Sequence, residues 1–119
     1  MNNADEKNPS VPIVGAPSSM FGALEEEYSN FKKAKAVIYQ APFDKTTTYI
    51  HGTSMGPAAI IDASRYLERY DDELNQETFK IGIHTMDALA VGKLSSEEMV
   101  ERVAAQDRKS TRLNSSHRL

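Results

Sequence analysis

The sequence predicts an α/β fold built on a mostly parallel sheet. Three observations predict it. Residues 35 to 41, KAVIYQA, form a nearly continuous apolar run with β-branched Val37 and Ile38, the pattern of a strand buried on both faces of a parallel sheet. A long loop follows, and then an amphipathic stretch over residues 57 to 71, PAAIIDASRYLERYD. Strand, crossover loop and amphipathic helix open a βαβ unit. A second strand-like run at residues 78 to 84, TFKIGIH, supplies the partner strand.

Each element has a local reason. Residues 1 to 20 are polar, and Pro9, Pro12 and Pro17 exclude a helix there. They read as an extended arm with a short apolar touch at Val11, Ile13 and Val14. The arm is either a flexible terminus or a segment that packs on a partner subunit. Residues 23 to 33, ALEEEYSNFKK, place acidic residues early and lysines late, which suits a helix dipole. Leu24, Tyr28 and Phe31 then share one helical face. Pro42 ends the first strand because it has no N–H to give a ladder.

The loop over residues 42 to 57, PFDKTTTYIHGTSMGP, is long enough to be functional or disordered. Its aromatic residues Phe43 and Tyr49 argue for order. Pro57 suits the first turn of the helix that follows. Ile60, Ala63, Ser64, Leu67 and Tyr70 trace its apolar face. Burying Ile60 and Leu67 stabilises by about 1.5–3 kcal/mol each. Ser64 is small and lets the helix approach a sheet closely. Ser95 and Glu98 form a capping box for a helix over residues 95 to 105, with Met99, Val100, Val103 and Ala104 as its apolar stripe.

Composition bounds the function. The chain of 119 residues is long enough for one domain, with 39% apolar and 26% charged residues. A net charge of −3 gives no basic field for a phosphate backbone, so nucleic acid is not an expected partner. There is no cysteine, which removes disulfides, a thiolate nucleophile and a Cys-rich zinc site. No apolar run approaches the roughly 20 residues of a membrane span, and the polar start MNNADEKNPS lacks a signal-peptide core. A cytoplasmic location without membrane contact is the expectation.

Residues 107 to 117, DRKSTRLNSSH, break the pattern: they lack apolar periodicity and reverse the local charge. Written back into codons, all eleven match a common sequencing-adapter read. The alternative is an ordinary basic, polar terminus. Residues 107 to 119 are therefore expected to be a non-native tail.

The ordered run APFDKTTTYIHGTSMGPAAIIDASRYLERYDDEL resembles the N-terminal region of the ureohydrolase (arginase/agmatinase) family, and agmatinases in particular. The matching parts are Pro42, Phe43 and Asp44 at the strand end, the threonines 46 to 48, the turn from Tyr49 to Gly52, and Gly56 with Pro57 opening a helix. GIHTMDAL after Lys80 resembles the family's next segment. The resemblance covers roughly residues 20 to 105, which sets a family portion over residues 21 to 106, and His51 stands where the family usually has proline. It implies a three-layer α/β/α sandwich, of which this chain holds the first βα units. It also implies hydrolysis of agmatine to putrescine and urea in polyamine biosynthesis, two Mn²⁺ ions per enzyme, a small guanidino substrate and a homo-oligomeric parent. The family's metal ligands lie in Gly-Gly-x-His, Asp-Ala-His-x-Asp and Ser-x-Asp-x-Asp-x-x-Asp-Pro segments, and none occurs here. The chain is thus expected to be an inactive N-terminal fragment with no catalytic residue and no metal ligand.

Asp44, Thr48 and His51 are the residues that the loop offers to a substrate. Asp44 sits at the carboxyl end of the first strand, where open α/β sheets bind ligands, or it caps its own Thr-rich loop. His51 reads as a solvated loop histidine or as a substrate or subunit contact. His84 reads as a strand-end histidine, since His84 and Asp87 lack the family's His-x-Asp spacing. Asp71, Asp72 and Glu73 read as a solvated helix end. Two other readings stand beside agmatinase: an arginase- or guanidinobutyrase-type enzyme, and a non-catalytic interaction module. A sheet cut after two strands leaves open edges and an uncovered face, so the fragment is expected to be unstable alone.

Overall fold

The computed structural model describes residues 19–46 and 51–115. Among the described residues the regular elements are α1 (Glu26–Ser29), β1 (Ala36–Gln40), α2 (Gly56–Ser64), β2 (Ile83–Ala88) and α3 (Ser96–Ser115). Short 3-10 turns at Phe21–Ala23, Thr53–Met55 and Thr78–Ile81 join them. The apolar arm residues Val11, Ile13 and Val14 lie outside the described residues.

β1 and β2 pair in parallel, with Ala36 opposite Ile83, Val37 opposite His84 and Ile38 opposite Thr85. The order β1, α2, β2 is the expected βαβ unit, so the α/β class holds. Val37 and Ile38 form the strand as their β-branching favours. All five β1 residues are half-buried rather than buried on both faces. Among the described residues each strand has one hydrogen-bonded neighbour, which leaves its other edge bare.

β2 starts later than the 78 to 84 run predicts. Thr78–Ile81 coils into a 3-10 turn, and the strand begins at Ile83. Gly82 between them has φ +90°, and a Cβ there would lie 2.9 Å from the Ala34 Cα. Lys35 N donates to Gly82 O at 3.1 Å, which brings the two strand starts together. The chain can make that approach only at a glycine.

α1 is one turn long and not a helix through residue 33. Asn30 ends it: Lys32 N donates to its side-chain oxygen at 2.9 Å, and its Nδ2 donates to Glu26 at 2.8 Å. This local turn competes with helix propagation. Leu24 is still buried, and Tyr28 packs edge-on against Phe79 with ring centres 5.2 Å apart.

α2 stops at Ser64, and its buried stripe is Ile61 and Ser64. Of the predicted face Ser64 is buried, whereas its large side chains turn outward: Ile60 is 62% exposed, Leu67 59% and Tyr70 49%. The reason is a tertiary bond. Ser64 Oγ donates to Ile61 O at 2.6 Å and accepts from Gly22 N at 2.8 Å, which pins this face against the Phe21–Ala23 turn. Beyond it, Asp71 Oδ1 accepts from Glu73 N and Leu74 N, and Asp71 pairs with Gln76. Residues 71 to 76 are therefore an Asx-type turn and not a helix end.

α3 begins with the predicted capping box. Ser95 N donates to Glu98 Oε1 at 3.0 Å, and Glu98 N donates to Ser95 Oγ at 3.2 Å. Met99 is buried and Val100 is 68% exposed. The helix continues past residue 105 to Ser115, where Ser110 Oγ lies 3.4 Å from the Met86 sulfur of β2. Among the described residues, Leu24, Ala34, Ile61 and Met99 make up the buried apolar core. No described helix is long and apolar enough to cross a membrane.

Candidate functional site

The carboxyl edge of the sheet is where an open α/β fold presents a ligand site. Two loops meet there. One follows β1 at Pro42, Phe43, Asp44 and Lys45, and the other follows β2 at Val91, Gly92 and Lys93. Together they line a shallow cleft of about 350 Å³. The strand ends are spliced beneath it: Gln40 Nε2 donates to Met86 O at 2.8 Å, and Leu89 N donates to Gln40 O at 2.8 Å.

Asp44 anchors the rim. Its Oδ2 accepts from Ser54 Oγ at 3.0 Å and from Gly52 N at 3.3 Å. The Ser54 hydroxyl, then the backbone N–H groups of Ser54 and Gly52 and the charge of His51, hold its carboxyl below the usual aspartate value against the opposing effect of desolvation. Gly52 has φ +121°, a conformation that side chains rarely adopt. Lys45 Nζ donates to Leu94 O at 3.2 Å and Lys93 O at 3.4 Å, tying this loop to the other. Its charge, after the Ser95 hydrogen bonds, helps hold the Glu98 carboxyl low.

Of the three sequence-predicted loop residues, the structure brings Asp44 and His51 together and leaves His51 exposed. Thr48 lies outside the described residues, as does His117. His84 is away from the rim: its Nδ1 donates to Ser29 O at 2.7 Å, and its ring packs edge-on to Phe31 at 5.4 Å. Sequence reasoning did not single out Ser54 or Lys45. The available signal was their position, one flanking Asp44 and the other two residues past Gly52 at a helix entrance.

These residues do not fit a two-metal centre. Among the described residues no three His, Asp or Glu side chains converge as a metal ion requires. The Asp44 Oδ2 already serves two donors, and His84 Nδ1 is committed to a carbonyl.

The arginase family matches residues 34–116. The N(1)-aminopropylagmatine ureohydrolase of Synechocystis sp. is 36% identical over 66 residues, which is 55% of this chain and 22% of that protein. Its namesake in Thermus thermophilus is 34% identical over 59 residues, or 50% of this chain and 20% of that one. The agmatinase of Bacillus cereus is 38% identical over 52 residues, or 44% and 18%. These matches span about a fifth of each curated relative. No solved structure matches at a comparable level.

Proposed function

This chain belongs to the arginase family, and from that premise we propose that it is the N-terminal section of an agmatinase-like ureohydrolase. The reading is that the whole protein hydrolyses agmatine to putrescine and urea. Water adds at the guanidinium carbon and a C–N bond breaks. The observation that carries the reading is the family match, which runs from just before β1 to one residue past the end of α3. It coincides with a carboxyl-edge rim at the family-like residues Pro42, Phe43 and Asp44.

In this reading the chain contributes scaffold and one rim of the site, and is inactive alone. Manganese enters through the family resemblance, and its ligands would come from segments outside these 119 residues. A cytoplasmic location and a homo-oligomeric parent belong to the same proposal. So does the division into an arm over residues 1 to 20, a family portion over residues 21 to 106, and a non-native tail from residue 107. A genomic reading that runs uninterrupted through codon 107 to the end would overturn the last of these.

A second substrate has specific support. Relatives from Synechocystis sp. and Thermus thermophilus are named for N(1)-aminopropylagmatine, which carries the same guanidinium on a longer amine. The test is urea release by the product of the whole gene, with Mn²⁺, from agmatine, N(1)-aminopropylagmatine and arginine. We expect kcat/KM for agmatine to exceed that for the other two by about tenfold or more, a difference of the size one added or missing contact makes. Preference for N(1)-aminopropylagmatine selects the second reading. Preference for arginine, or no urea from any of the three, overturns both.

A further inference from the structure

We propose that Asp44 and Lys45 are a positioning pair that sets the starts of both helices at the carboxyl edge, Asp44 for α2 and Lys45 for α3. The inference deepens the proposed function, because it concerns the rim of that same site, but its test reads amide exchange and not activity, so the two can fail separately.

α2 lacks a cap of its own. Its N-cap position, Met55, makes no side-chain capping bond, and neither does Gly52 ahead of the Thr53–Met55 turn. Helix starts leave N–H groups that need acceptors. Asp44, eight and ten residues upstream, instead holds the Thr53–Met55 turn that runs directly into α2, accepting from Gly52 N at the start of that turn and from Ser54 Oγ within it. A carboxylate at this end also suits the helix dipole. The next residue points the other way. Lys45 Nζ holds the carbonyls of Lys93 and Leu94, the two residues that precede the Ser95 cap of α3. Two consecutive residues at the end of β1 thus reach the entrances of the helices that follow both strands.

The charged groups around Asp44 are His51 ahead of the 3-10 turn, Lys45 beside it and Lys93 across the cleft. The Ser54 hydroxyl, the backbone N–H groups of Ser54 and Gly52 and the charge of His51 favour an ionised Asp44. The tie to Gly52 and Ser54 is therefore expected to hold at neutral pH and to loosen only in acid, below the ordinary aspartate value of 3.8.

The experiment is residue-resolved amide hydrogen exchange on the product of the whole gene and its D44N, S54A, S54T and K45M variants. D44N and S54A should each speed exchange at residues 52 to 55 about tenfold, the loss of a charge-assisted hydrogen bond. S54T, which keeps the hydroxyl, should restore protection. K45M should speed exchange at Leu94 and leave residues 52 to 55 alone. Lowering the pH should loosen residues 52 to 55 in the unsubstituted chain, relative to the intrinsic rate, and should have no such effect in D44N. No protection at residues 52 to 55 in the unsubstituted chain overturns the proposal. So does unchanged exchange there in both D44N and S54A, or an equal acceleration at the strand amides of Val37 and Thr85.

Discussion

At Gly82 the backbone takes φ +90° and passes so close to Ala34 that a Cβ would meet its Cα at 2.9 Å. Gly82→Ala therefore combines a rare conformation with a clash against main chain that cannot swing aside. We expect a loss of roughly 1–3 kcal/mol, read as a lower denaturation midpoint. Ser64→Ala removes the acceptor for Gly22 N and the small polar contact that orients α2. Its expected cost is about 1–3 kcal/mol, because a partly buried N–H loses its partner. The charged residues give a sign for pH. Asp44, Glu25 and Glu98 are all held below their ordinary values, the last two first by backbone hydrogen bonds. A depressed carboxyl contributes stability that is present above its ordinary value and lost as pH falls through its folded value. Acid should therefore weaken the chain below about pH 4.5, where the first of these ordinary values lies. An acid titration of D44N combined with E98Q should show a flatter decline than the unsubstituted chain.

Among the elements, those with local signals were legible and those fixed by distant contacts were not. β1 could be read from its β-branched run and from Pro42 at its end. The start of α3 could be read from Ser95 and Glu98, whose two reciprocal bonds are made within four residues. The face of α2 could not be read, because the bond that selects it joins Ser64 to Gly22, 42 residues away. The start of β2 was hidden for the same reason: the approach of Gly82 to Ala34 is tertiary. At the rim, Asp44 was visible as a strand-end carboxylate, whereas Ser54 and Lys45 gain meaning only when the two loops are seen together. The α2 correction can be tested directly. Ile61→Ala should cost about 2–5 kcal/mol, as for a buried aliphatic side chain. Ile60→Ala, at a 62% exposed position, should stay within about 0.5 kcal/mol. Paired urea titrations measure both, and the opposite order would restore the face read from periodicity.

As a whole, the molecule is a βαβ unit with little interior. The described core is Leu24, Ala34, Ile61 and Met99, while Met55, Ile60, Tyr66, Leu67, Tyr70, Leu74 and Val100 stand exposed. Among the described residues both strands also keep an open edge. So few buried side chains offset little of the entropy of ordering the chain, and a shallow thermal transition at low temperature is expected. A sharp cooperative melt of residues 1 to 106 would count against the chain's being one part of a larger domain. That the chain spans about a fifth of its relatives agrees with this picture. Under the proposed function the chemistry belongs to the whole protein, and this chain supplies scaffold and rim. The most direct test is urea release from agmatine with Mn²⁺, measured side by side for the 119-residue chain and for the product of the whole gene. Urea is expected from the whole product and none above background from the chain; urea from the chain alone, or none from the whole product, would overturn that division of roles.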